Sequence, residues 1–158
     1  MRCYSLAPLW LGVMGVGLFL QGCSSTGGSS EATGDGVRNQ VVMAALSQIG
    51  TRYQYGAQSP GNALDCSALT QHAYSAAGVH IPRVSTDQRR AATPVQPAKA
   101  QPGDLVFFKI RPGLYHVGLM VDDKRFVHAS TSKKRVRLSS IESGYWQQRL
   151  IGAGTYLN

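Results

Sequence analysis

The sequence predicts an α+β domain, and three observations predict it. Apolar residues recur at helical spacing early in the folded part, alternating apolar runs fill the later part, and no internal repeat divides the chain. With 158 residues and 43% hydrophobic content, the chain has the size of one domain with one core. N-terminal helices packed on a central antiparallel sheet are therefore expected over residues 37–158. Two segments of different character precede them.

Residues 1–22 start with Arg2, continue through "LWLGVMGVGLFL" and reach "LQGC" at Leu20 to Cys23. The apolar run is about a dozen residues, where a spanning helix needs roughly 20. It reads as a secretion signal rather than a signal anchor with an incidental cysteine, since small polar residues follow at once. "LQGC" resembles the lipobox of bacterial lipoproteins, in which the cut falls before a lipidated cysteine, here Cys23. Under the sorting rule of such lipoproteins, Ser24 in place of an aspartate implies a periplasm-facing protein on the outer membrane of a Gram-negative cell. Residues 23–36, rich in Ser, Gly and Thr, are expected to form a flexible tether.

This reading settles the cysteine count. Cys3 leaves with the signal and Cys23 carries lipid, so Cys66 remains as the one free thiol and an internal disulfide is excluded. In an oxidising compartment an unpaired cysteine has to be useful or buried. The formal charge of +8 gathers in "KKRVR" (Lys133 to Arg137) and at Arg89 and Arg90. Outside the cytoplasm a nucleic-acid partner is not expected. Such a surface faces anionic head groups, an anionic wall polymer or plain solvent.

The elements follow in order. Val41, Val42, Ala45, Leu46 and Ile49 predict a helix over 37–49, with Gly50 as its cap. "TRYQYGAQSPGN" is turn-rich, and Asp65 is placed to cap a second helix from Cys66 to Ala77, ended by Gly78. "IPRVSTDQRRAA" suggests a short third helix, and "TPVQPAKAQPGD", with three prolines, a loop. Strands are expected in "DLVFFKI", "YHVGLMV", "RFVHAS", "RVRLS" and "IGAGTYL". If Asp122 to Lys124 form a three-residue hairpin loop, Val121 lies opposite Arg125 and His128 opposite Gly118. His116 and His128 then become diagonal neighbours on one face, while Val117, Leu119, Val121, Val127 and Ala129 share the other.

Three fates for Cys66 stand open on these features: a buried inert thiol, a zinc ligand with His116 and His128, or a nucleophile. At a helix N-terminus the thiolate is favoured, which would lower the thiol pKa. His116 would then be its base, and His128 would orient His116 through the second ring nitrogen. His72 and His80 read as ordinary polar residues.

"YQYGAQSPGNALDCSALT", "RVSTDQ", "QPGDLVFF", "HVGLMV" and "FVHAS" resemble, in this order, the motifs of the NlpC family of papain-like cysteine peptidases, which cleave bacterial cell-wall peptides. A short lipidated chain is most similar to the Spr-like murein endopeptidases within it. The resemblance implies a papain-like NlpC fold without metal or organic cofactor, with Cys66 as nucleophile, His116 as general base and His128 as the orienting residue. It also implies that Tyr53 lies near the oxyanion, that Asp65 and Ser67 contact substrate, and that Arg83 and Ser85 form the family's "RxS" element. Two positions depart from the pattern: the family's "GG" is Gly56-Ala57, and its glycine after "DCS" is Ala68, where an added methyl would narrow the site. The expected protein is a lipid-anchored peptidoglycan endopeptidase, with the D,D cross-link favoured over the γ-D-glutamyl-diaminopimelate bond and with a regulatory partner of unknown kind. A non-catalytic wall-binding lipoprotein, and an acyltransferase or effector on the same fold, are the alternatives.

Overall fold

In a computed structural model the described residues are 29–157. The expected signal, Cys23 and the first part of the expected tether lie outside them. Among the described residues no helix is long and apolar enough to cross a membrane.

Helix α1 (Ser29–Leu46) begins earlier than the expected 37 and enters the stretch read as tether. A helix nucleated by a packed segment extends at low cost, because each added residue brings one hydrogen bond. It also stops before Ile49: Gln48 and Ile49 donate to Ala45 and Leu46 in tighter turns, and Ile49 stays exposed. Helix α2 (Cys66–Ala76) has Asp65 as N-cap, whose side chain accepts from the Ala68 N–H. It ends as expected, with Gly78 in the left-handed region at φ 75°. Helix α3 is short (Ser85–Ala91), and a four-residue turn of helix, α4 (Gly144–Gln147), has no counterpart in the expected elements.

Among the described residues there are nine strands, β1 (Arg52–Tyr53), β2 (Gln58–Ser59), β3 (Ala63–Leu64), β4 (Thr93–Val95), β5 (Leu105–Arg111), β6 (Leu114–Met120), β7 (Arg125–Ser130), β8 (Arg135–Ser140) and β9 (Leu150–Thr155). They form one sheet in the order β2-β3-β1-β8-β7-β6-β5-β9-β4, antiparallel except for β1 beside β3. The five long runs fall where the alternation places them. Two expectations are corrected. The turn-rich segment and its continuation hold the two-residue strands β1 to β3, and the proline-rich loop contains β4. Pro94 is tolerated there because β4 is the sheet's edge, where no second neighbour requires its missing N–H.

The main core lies between the helices and one sheet face, where Val41, Ala45, Leu69 and Ala73 meet Leu119 and Val127. Alanines at 45, 68 and 73 let the helices approach closely. Tyr74, fully buried, donates its hydroxyl to the Gly103 carbonyl at 2.6 Å, and Arg38 of α1 pairs with buried Asp104 at 2.8 Å. These two contacts fasten the helices to the turn that starts β5. A smaller cluster of Val106, Phe108, Met120 and Phe126 covers the opposite face.

The central hairpin has the register counted from sequence: Leu119 faces Val127, Met120 faces Phe126, and Val121 donates to the Arg125 carbonyl. Gly118 has a packing reason. A Cβ there would stand 2.4 Å from Phe126 Cδ2 and 3.2 Å from the Val127 oxygen. Gly118→Ala should therefore cost about 1–3 kcal/mol of stability by overpacking, measured as a lowered urea midpoint at constant slope.

Candidate active site

Asp65 sets the local frame. Its Oδ1 accepts from Ala68 N–H (2.7 Å), Ser67 Oγ (3.2 Å) and Arg83 Nη1 (3.0 Å), and its Oδ2 from Gly56 N–H (3.1 Å) and Arg83 Nη2 (2.7 Å). Arg83 Nη1 also reaches Ser67 Oγ at 2.9 Å. Asp65, Ser67, Arg83 and Ser85 line the same cleft as Tyr53 and Cys66. The Asp65 carboxylate is nonetheless saturated by protein donors, since a carboxylate offers about four acceptor sites. Its visible work is to tie the start of α2, the "YQYG" turn and the segment before α3 together.

Cys66 is thereby fixed as the first residue of α2, a half-buried free thiol. The backbone N–H groups of Val117, Ser67 and Cys66 itself act on the thiol in favour of thiolate. The α2 terminus and the β6 residue His116 face one cleft. The cleft, of about 570 Å³, has Cys66, His116 and His128 in its wall.

The histidines meet as the hairpin count requires. His116 Nε2 and His128 Nδ1 are 2.9 Å apart, and His128 Nε2 is 2.9 Å from Ser139 Oγ on β8. Because Nε2 of His116 is taken, Nδ1 is the ring nitrogen available to the thiol. The consistent tautomers have His116 Nε2–H donating to His128 and His128 Nε2–H donating to Ser139. Trp146 of α4 stacks on His116 (5.6 Å between centroids, 22°) and meets the His128 ring edge-on at 5.0 Å.

Burial governs the electrostatics. It pushes the Cys66 thiol up to about 11, outweighing the three backbone N–H groups that favour thiolate, and Asp65 adds to the rise. The expectation of a lowered thiol pKa is corrected on that ground: the α2 terminus acts in a site where losing water costs more than the helix end returns. Burial also holds His116 well below the ordinary imidazole value, against the pull of Asp65. His128 is lowered by burial, by His116 and by Arg137. Tyr53, in the same cleft wall, is raised by burial and then by Cys66 and Asp65.

Ala68 does not shape the cleft. Its methyl belongs to the core cluster and is 4% exposed, so the expected narrowing does not arise there. Ser139 and Trp146 were not singled out by sequence. Ser139 is reached by the same diagonal count on the next hairpin, where His128 faces Arg137, once the turn between β7 and β8 is known. Trp146 carries no comparable signal, because α4 is too short to show a period.

The sequence model of the NlpC/P60 family matches residues 50–155. The chain belongs to that family. It is 34% identical over 117 residues to the gamma-DL-glutamyl hydrolase of Bacillus subtilis, covering 72% of this chain and 28% of that protein. It is 33% identical over 113 residues to the murein DD-endopeptidase MepH of Escherichia coli, covering 68% and 42%. A crystal structure from Staphylococcus aureus, described as similar to lipoprotein and of the NLP/P60 family, superposes with a TM-score of 0.69 at 33% identity, covering 89% of this chain and 46% of that one. The chain therefore spans less than half the length of these relatives, and the helices-on-sheet fold is the family's.

The buried neutral histidines make stability depend on acid. Below the ordinary imidazole value of about 6.5, the unfolded chain binds protons that the folded pair refuses, so stability is full above that pH and falls as pH drops. Each histidine should contribute about 3 kcal/mol to the loss between pH 7 and pH 4, and His116→Ala should make the profile shallower in urea titrations.

Proposed function

We propose that the chain is a peptidoglycan endopeptidase in which Cys66, His116 and His128 form the catalytic set, anchored to a membrane through lipid on Cys23. The observation that carries this reading is that the Cys66 thiol at the α2 terminus and His116 of β6 line one cleft, with His116 hydrogen-bonded to His128 and His128 to Ser139. A merely buried cysteine has no use for a hydrogen-bonded pair of imidazoles behind it.

His116 Nδ1 takes the thiol proton as Sγ attacks the amide carbon. The proton moves within the cleft, so thiolate and imidazolium form together with no net charge to bury. The carbonyl oxygen becomes an oxyanion held by the Cys66 N–H and the Tyr53 hydroxyl, donors worth about 3–4 kcal/mol each in such sites. As the C–N bond breaks, imidazolium protonates the leaving amine and a Cys66 thioester remains. Water, deprotonated by His116, attacks the thioester, releasing the carboxylic half and restoring the thiol. His128 holds the His116 ring in the productive tautomer throughout, and Ser139 holds His128. No step calls for a metal or an organic cofactor.

The relatives' names point to two bonds, a γ-DL-glutamyl bond and a D,D cross-link. The reading favours the D,D cross-link between diaminopimelate and D-alanine. Incubated with cross-linked murein, the protein should release muropeptides whose masses identify the bond, and Cys66→Ala should lower the rate about a thousandfold or more. Undiminished release by that variant would sink the mechanism.

The raised thiol pKa favours a second reading, a wall-binding protein that has kept the cleft without catalysis. Iodoacetamide alkylation followed against pH separates the two. Catalysis requires the rate to depend on His116 and to change in His116→Ala, whereas an unchanged profile points to binding alone. For the anchor, metabolic labelling with palmitate should mark the full chain in membranes, and Cys23→Ala should remove the label and free the protein.

A further inference from the structure

Beyond the cleft with Cys66 lies a second cavity of about 540 Å³. The two share Ser85, Thr86, Tyr115 and His116, so one groove continues past the imidazole. The second cavity has neither the nucleophile nor the oxyanion donor: Cys66 and Tyr53, like Asp65 and Arg83, line the first alone. Each volume suits a few amino-acid residues, within the range of about 300–1,000 Å³ usual for ligand sites.

The order of the reaction assigns the halves. The acyl group stays bonded to Cys66, so it occupies the first cavity. The leaving amine takes its proton from His116, so its nitrogen lies against that ring, and the chain attached to it runs on into the second. Pro94, Val95 and Ile151 give that cavity an apolar wall, and Arg89 and Arg90 of α3 stand at its rim. Arg90 is engaged by Asp87 at 3.0 Å. Arg89 makes no ion pair or hydrogen bond among the described residues, an exposed guanidinium aimed at no protein acceptor.

We propose that the second cavity is the leaving-group site and that Arg89 binds a carboxylate on the amine half of the substrate. The inference rests on the endopeptidase reading and deepens it. A peptide amine half with an apolar stem and a free carboxylate fits this site, as a diaminopimelate residue does. Guanidinium and carboxylate match as a planar, two-point pair, so Arg89 selects for that acid over its amide.

Binding tests this apart from catalysis. Cys66→Ala protein is titrated calorimetrically with a synthetic cross-linked stem-peptide dimer whose amine-half diaminopimelate carboxylate is free or amidated. Adding Arg89→Gln should weaken binding of the free acid about five- to tenfold and leave the amide unchanged. Lys99→Gln, which removes the same charge from a residue lining neither cavity, should change neither. Equal loss on acid and amide, no loss on either, or the same loss from Lys99→Gln would overturn the proposal. These outcomes are independent of whether the wild type cuts murein, because they read affinity rather than product.

Discussion

The carboxylate of Asp65 is the point on which the rest of the site depends. Five donors from three separate stretches of chain converge on its two oxygens: the first turn of α2, the turn after β1, and Arg83 ahead of α3. No hydrophobic contact could impose that precision, because apolar packing is insensitive to direction. The carboxylate fixes the first turn of α2, and with it the position of Cys66 in the cleft wall. His116 of β6 lines the same cleft.

A second constraint works against the first. Holding the thiol and two imidazoles in a cleft backed by Phe126 and Trp146 removes the water that would stabilise their charged forms. The resting site is therefore neutral. In the proposed mechanism the helix terminus is less a source of thiolate than a fixed donor array waiting for charge to develop.

Much of this was legible from the residues. The loop Asp122 to Lys124 fixed the hairpin register, and a side-chain period of two then put His116 and His128 on one face; the structure adds the 2.9 Å contact. Asp65 was legible as a cap because caps are local. Its tie to Arg83 was not, since residues 18 apart meet only through the tertiary fold. The start of α1 and the strand at Thr93–Val95 escaped for a related reason: helix extension and edge pairing are decided by neighbours, and local composition argued the other way. Ser139 and Trp146 needed the β7–β8 register and the placement of α4, neither of which a short polar segment advertises.

The place of β9 gives the sheet an order of completion. It lies between β5 and β4 although it is the last strand in the chain, and the Trp146 cover over the imidazoles precedes it by only a few residues. A chain emerging from its N-terminus can assemble α1, α2 and the β5–β8 meander while the edge strand still lacks its neighbour and the histidines their lid. On the proposed reading, the cleft is finished only when the last strand of the chain is in place.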